Sequence, residues 1–353
     1  DPYFSASKLE WLLAQTPLPH DTLAFGTVDS WLVWKLTDGR THATDHTNAS
    51  RTMLLDLDRL EWDDELLALF SIDRGLLPGL HPSSGVIAEG RILGQTLPIA
   101  GIAGDQQAAL FGQCCFHPGQ AKATYGTGSF VLVHVGTMAG MAPEGLLKTA
   151  AATAPGTAPE HALEGAILAS GSAIQWLRDG LGLIGEAADS ETLARHVEST
   201  DGVYFVPALA GLGSPYWDPD ARGLISGITR GTTREHIARA ALEAIAFQVA
   251  DVIEAVPRGL EVLRADGGAS ANRFLMQFQA DVLGRPVDVA NELESTALGA
   301  AALAALGAGL VPDIDALEQL RRPSRRYEPG DGQGSAADSR AGWSTEIRRA
   351  RLR

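Results

Sequence analysis

Cysteine is almost absent. The chain has two, and they are adjacent, Cys114-Cys115. A neighbouring pair builds no disulfide framework and lacks the spacing of a metal site, and such sparse usage fits a reducing compartment. Positive charge is also scarce. The formal net charge is −15, and the only lysines are Lys8, Lys35, Lys122 and Lys148. That balance argues against nucleic acid or an anionic membrane surface as a partner. Two uncharged stretches fall short of a membrane span. Residues 296–312 are mostly Ala and Gly and stop at Pro312, which predicts a buried helix. Residues 123–143 are interrupted by Gly126, Gly128, Gly136 and Gly140, which predicts strands bounded by turns. No integral membrane segment is expected. The chain opens Asp-Pro-Tyr-Phe, without Met or a basic leader, so no secretory signal is expected, and the sequon Asn48-Ala49-Ser50 carries no weight. Internal repeats, heptads, a GxxxxGK[ST] loop, a GxGxxG turn that follows a strand and HExxH are all missing, and the nine histidines are scattered.

What is present is a chain of 353 residues, 45% hydrophobic, a size for about two domains. Strand-like and helix-like stretches alternate, which predicts an α/β fold. Residues 99–104, 129–135 and 202–207 read as strands. Residues 234–256 read as a long helix, with Ile237, Ala241, Ile245 and Val249 on a stripe widened by Ala240, Ala244 and Val252, and with Thr232 or Thr233 as cap. A second helix follows Asn272, with Phe274, Leu275, Phe278 and Val282 on one side. The tail beyond Leu320 is locally basic (Arg321, Arg322, Arg325, Arg326, Arg348, Arg349, Arg351, Arg353). It predicts a flexible turn over Gly330–Gly334 and a solvated helix rather than a nucleic-acid arm.

Three Gly-rich turns could approach a ligand with bare backbone. Thr124-Tyr-Gly-Thr-Gly-Ser129 precedes a strand, and its amides with the Thr127 hydroxyl could face phosphate oxygens. Asp266-Gly-Gly-Ala-Ser-Ala-Asn272 follows a strand and opens a helix. Gly165 to Gln175 reads as a small-residue lead into a helix. Each by itself is only a turn. Asp105 ends the apolar run 99–104 and is flanked by Gly104 and Gln106. Burial there would keep it dry and rigid for acid–base work, and helix capping is the equal alternative.

Together these residues resemble the FGGY carbohydrate kinases, in the glycerol-phosphorylating branch. Residues 3–15 (Tyr-Phe-Ser-Ala-Ser-Lys-Leu-Glu-Trp-Leu-Leu-Ala-Gln) resemble the first family signature, and Gly223-Leu-Ile-Ser-Gly-Ile-Thr229 through Glu243 the second. Residues 25–35, Thr47-Asn-Ala-Ser-Arg-Thr-Met53, Gly101–Gly112 and 211–219 extend the likeness over nearly the whole chain, and Asp105-Gln106-Gln107 points to glycerol rather than a pentose. The resemblance implies two ribonuclease-H-like α/β domains, as in actin and hexokinase, with an interdomain cleft. Residues 1–113 would be the later part of the first domain and 114–353 the second, nucleotide-binding domain. It further implies ATP with Mg²⁺, glycerol as acceptor and a cytoplasmic enzyme, leaving a homo-oligomer open. Asp105 would be the general base. Tyr3, Gln106 and Phe130 would shape the polyol site. Gly126 and Thr127 would bind phosphate, while Gly171, Gln175, Gly268 and Asn272 would bind the nucleotide. No metal-ligating residue is assigned.

The chain enters this family pattern just before the first signature. The family's opening hairpin with its Asp-x-Gly-Thr-Thr phosphate loop, and an Arg-Glu pair and a Trp that bind glycerol, are not in the 353 residues. Loss of one preorganised charge-stabilising group costs about 10²–10³ in kcat. The remaining part of the first domain would expose sheet edges and core. Alternatives are a non-catalytic nucleotide-binding fragment and a kinase for another polyol or sugar. The 353-residue chain by itself is expected to show no measurable glycerol phosphorylation, and glycerol-dependent ADP release in a coupled assay would contradict this.

Overall fold

In the computed structural model, residues 3–291, 294–330 and 332–352 are described. Helices α1 (Ala6–Gln15) and α2 (Val28–Leu36) precede β1 (Ala43–Asp45), which pairs in parallel with β2 (Gly79–His81). Between these strands lies the short helix α3 (His46–Ala49). Leu9, Leu13, Leu54, Trp62, Leu67 and Leu76 form the core of this region, while Trp11 and Trp31 on α1 and α2 are exposed. The hairpin β3 (Ser84–Ile92) and β4 (Gln95–Gly101) leads into α4 (Asp105–Gly112). The strand expected over 99–104 thus stops at Gly101, because Gly104 is the N-cap of α4.

A seven-stranded mixed sheet follows. Its strands in chain order are β5 (Gln120–Tyr125), β6 (Ser129–Gly136), β7 (Leu147–Ala150), β8 (His161–Ile167), β9 (Val262–Asp266), β10 (Val287–Ala290) and β11 (Pro323–Tyr327). In space they run β11-β10-β9-β5-β6-β8-β7, with β9 parallel to both β5 and β10. The longer helices that punctuate and follow the sheet are α5 (Gly171–Asp179), α6 (Arg234–Glu254), α7 (Arg273–Leu283), α8 (Ser295–Gly307) and α9 (Gln333–Ala350). The uncharged stretches of the sequence become strand pair β5–β6 and helix α8. No helix among the described residues is long and apolar enough to cross a membrane.

Successive residues of a strand face opposite sides, and here the two sides differ in kind. One side carries Val287, Leu263, Ala121, Val133 and Leu163 in register, followed by Val289, Ala265, Ala123, Val131 and Gly165, and it packs on α6 and α7. A side chain at Gly165 would collide with Val252 of α6, so this glycine lies in β8 against the helix and not in the helix lead expected from sequence. The other side carries a row of charges: Arg326, Asp288, Arg264 and Lys122 in adjacent strands, then Leu132 and Glu164. Asp288, Arg264, Lys122 and Glu164 are all buried.

Two further expectations change. The apolar residues of α6 form no stripe, because Ala238 and every residue from Ala240 to Ile253 are buried: the helix lies inside the core with neighbours on every side. Thr233 does cap it, with His236 Nδ1 accepting the Thr233 backbone N–H. The basic tail is not simply solvated. Arg321 and Arg326 pair with Asp288, and α9 inserts the fully buried Trp343 beside Phe247. Within the expected turn Gly330–Gly334, Gly330 N–H bonds Asp281 and α9 has begun by Gln333; Asp331, like Arg353, lies outside the described residues. Trp343 also donates its indole N–H to buried Asp251 at 2.9 Å. Trp343→Ala removes both contacts, and a loss of about 3–5 kcal/mol is expected in urea unfolding. A change below 1 kcal/mol would show that α9 is not part of the cooperative core.

Candidate active site

Asp105 owes its place to a buried polar cluster. The Gly104 N–H that caps α4 donates to Thr47 Oγ1 at 2.7 Å, and Thr47 in turn donates to Asp45 Oδ2 at 2.6 Å. Asp45 is fully buried and also accepts from Ser83 Oγ and from the backbone and side chain of Asn48. Burial pushes its carboxyl upward while these donors hold the anion, so the start of α4 is tied firmly to α3. Asp105 itself is exposed. The dry setting expected from sequence is not found, because the residue lies beyond the strand, in the open first turn of the helix. Its Oδ1 accepts the Gln106 N–H at 2.8 Å. Gln106 Nε2 points to Asp105 Oδ2 at 3.3 Å, and Gln106 Oε1 accepts from buried Lys122.

Tyr3 reaches the same side of the sheet by another route. The Arg51 guanidinium lies over the rings of Tyr3 and Phe4, at 5.1 and 5.0 Å, and pairs with Glu164 of β8 at 3.0 Å. Phe130 is half-buried on β6, opposite Thr124 of β5 and Ala166 of β8. The four residues expected at the acceptor site therefore all stand around one face of the sheet, Asp105 and Gln106 through Lys122, Tyr3 through Arg51 and Glu164. Ser50 and Gln107 bond Thr149 of β7 and complete the joint between the first region and the sheet.

The six residues expected at the nucleotide line a single cavity of about 400 Å³: Gly126, Thr127, Gly171, Gln175, Gly268 and Asn272. The turn after β5 is strapped to the start of α5 by Gly171 N–H to Gly126 O (2.9 Å) and Ser172 N–H to Thr127 O (2.9 Å). A Cβ at Gly171 would stand 2.6 Å from Gly126 O, whereas one at Gly268 would enter open space. Gly267 has φ 84° and lies against the Tyr125 backbone, so this turn accepts only glycine. Asn272 caps α7 through Oδ1 (to Leu275 N–H, 2.9 Å), while its Nδ2 faces Ser190. Gln175 and Thr127 are exposed to the cavity. Arg178 of α5, Ser190 and Glu191 also line it and carry no signal in the sequence. Cys115, by contrast, is chemically quiet: burial pushes its thiol up to about 11.

With this geometry in place, the comparisons with known proteins are specific. The N-terminal domain of the FGGY family of carbohydrate kinases matches residues 1–112, and the C-terminal domain matches residues 121–308. The chain belongs to the FGGY family of carbohydrate kinases. Among its curated FGGY relatives, the glycerol kinase of Geobacter sp. (strain M21) is 51% identical over 99% of this chain and 72% of that protein. The glycerol kinase of Leptothrix cholodnii is 51% identical over 99% and 73%. Among solved FGGY structures, Plasmodium falciparum glycerol kinase with ADP superposes with a TM-score of 0.94 at 34% identity, covering 100% of this chain and 73% of that one. Xylulose kinase from Rhodospirillum rubrum gives 0.83 at 26%, covering 97% and 71%.

The Arg51–Glu164 pair is the most exacting contact in the joint of this FGGY kinase, since Glu164 is fully buried. Arg51→Ala strands that carboxylate and is expected to cost about 3–5 kcal/mol. The double change Arg51→Met with Glu164→Leu is expected to recover part of the loss in thermal unfolding, because it removes both charges of the pair while buried Lys122 loses one of its counter-charges.

Proposed function

We propose that the protein transfers the terminal phosphoryl group of MgATP to glycerol, giving glycerol 3-phosphate and ADP. The observation that carries this reading is the Asp105-Gln106 pair, held at the first turn of α4 in a chain about half identical to glycerol kinases over 99% of its length. In this scheme Asp105 accepts the proton of a terminal glycerol hydroxyl as that oxygen bonds to the γ-phosphorus and the bond to the β-phosphate oxygen breaks. Positioning and charge neutralisation supply the acceleration. Gln106 and Tyr3 hold the polyol hydroxyls, and Phe130 packs against the carbon chain. Gly126 and Thr127 take the transferring phosphate, with the N-terminus of α5 favouring negative charge beside them. Gly171, Gln175, Gly268 and the Nδ2 end of Asn272 hold the nucleotide. Magnesium arrives on the nucleotide phosphates as part of the substrate.

We assign residues 1–113 to the acceptor side and 114–353 to the nucleotide-binding side. The separate family matches on either side of residues 113–120 support that division. A cytoplasmic setting accords with the two free cysteines. The other sugar kinases of the family share this fold, so the acceptor is decided by a substrate panel.

The decisive assay measures ADP release with glycerol and with D-xylulose, for the chain alone and with the N-terminal segment of a glycerol kinase supplied in trans. Glycerol-dependent release supports the proposal. Release with xylulose but not glycerol overturns the acceptor, and ADP binding without turnover in either mixture points to a nucleotide-binding module. Asp105→Asn is expected to lower kcat by about 10²–10⁴ with ADP binding unchanged. Gly268→Ala places a methyl in the cavity at no backbone cost, and is expected to weaken ADP about tenfold by calorimetry with no change in unfolding midpoint.

A further inference from the structure

Lys122 stands in the middle of β5 with no exposed surface, a costly place for an ammonium. Its Nζ donates to Gln106 Oε1 and, at 3.0 Å, to Thr124 Oγ1. The carboxylates of Asp266, Glu164 and Asp105 surround it and offset part of the desolvation. Glu164 Oε2 and Asp266 Oδ1 are buried without a hydrogen-bond partner among the described residues, so the ammonium is a counter-charge for both. The cation is therefore held electrostatically as well as by its hydrogen bonds.

Its effect on Gln106 follows from hydrogen-bond chemistry. An ammonium only donates, so it can bond only the oxygen end of the amide. The NH₂ end is then turned to Asp105 Oδ2, and a carboxylate only accepts. Both ends of the amide are matched. The flipped amide would set NH₂ against ammonium and C=O against carboxylate, replacing two charge-assisted bonds with two repulsions. We propose that Lys122 is a positioning residue of the acceptor site, whose ammonium fixes the Gln106 amide so that its NH₂ and the Asp105 carboxylate face the substrate together. One substrate group satisfies this pair: a hydroxyl, which accepts from Gln106 and donates to Asp105. A ketone oxygen cannot donate, and an ammonium cannot accept. The geometry thus selects an alcohol acceptor with its proton already directed at the base. The inference rests on the phosphoryl-transfer reading above.

The test is spectroscopic and needs no turnover. In the ¹⁵N-labelled 353-residue chain, the Gln106 side-chain amide signals are identified by their loss in Gln106→Ala and followed as glycerol is added. Lys122→Met is expected to move these signals toward solvent-exposed positions and to weaken the glycerol response at least tenfold. The backbone signals of α4 should remain. Lys122→Gln, which offers a neutral N–H donor to the same oxygen, is expected to restore the wild-type amide pattern in part, and it serves if Lys122→Met does not fold. Unchanged Gln106 signals in Lys122→Met overturn the proposal. So does loss of the backbone spectrum in both variants, which makes Lys122 a structural charge alone. If wild-type Gln106 ignores glycerol but responds to another polyol, the positioning role stands and the acceptor assignment falls.

Discussion

The structure turns on a row of buried charges laid across one face of its main sheet. Arg264, Lys122 and Glu164 lie at register positions where a protein of this size ordinarily places Val or Leu, as it does on the opposite face. Ions in such a place are tolerated only when paired and bonded. Their partners come from elsewhere in the chain: Arg51 from the first region, Gln106 and Gln113 from the α4 segment, Arg321 and Arg326 from the tail for Asp288. The requirement to neutralise one sheet face therefore brings together segments more than two hundred residues apart. The opposite face is met mainly by apolar contact from α6 and α7, with the buried Tyr125 hydroxyl bonded to Gln279 of α7.

The same requirement builds the proposed acceptor side of the site. Arg51 reaches Glu164 and in doing so lies against Tyr3 and Phe4; Lys122 reaches Gln106 beside Asp105. Residues from three separate stretches thus stand in fixed relation without any of them lying on a long ordered loop. The proposed nucleotide side is made differently. There, backbone-to-backbone contacts between Gly126, Thr127, Gly171 and Ser172 close a turn against a helix start, and the glycines are required by how closely the chains approach. Charge pairing sets one half of the proposed site and steric exclusion the other.

That division explains what could be read from the sequence. Strands, the long helix and the Gly turns have local signatures, and the resemblance of several motifs carried the fold and the expected site residues. The exposure of Asp105 was missed because an apolar run suggests burial, and nothing local marks where β4 yields to α4. The burial of α6 on all sides from Ala240 to Ile253 was missed for a related reason: its alanines pack small and do not weigh in a stripe. Lys122 and Glu164 did leave a trace, each a single charge within an otherwise uncharged strand, 120–125 and 161–167. Only the pairing register, a non-local property, shows that both point to the same face.

The tail carries the same lesson in the other direction. A cluster of arginines beyond residue 320 has the composition of a solvated segment, and charge counting alone favours that reading. Yet the chain is acidic, and three of its buried or half-buried carboxylates, Asp288, Asp251 and Asp218, meet an arginine from the tail. Arg340 lies against Asp251 on α6, one turn of α9 away from Trp343, which bonds the same carboxylate. A basic terminal segment is what an acidic core needs to close, and Trp343 locks it by giving the helix an apolar anchor at the site of the charge pair. The local positive charge is thus complementary to the rest of this chain, which leaves no need for an external anion to account for it.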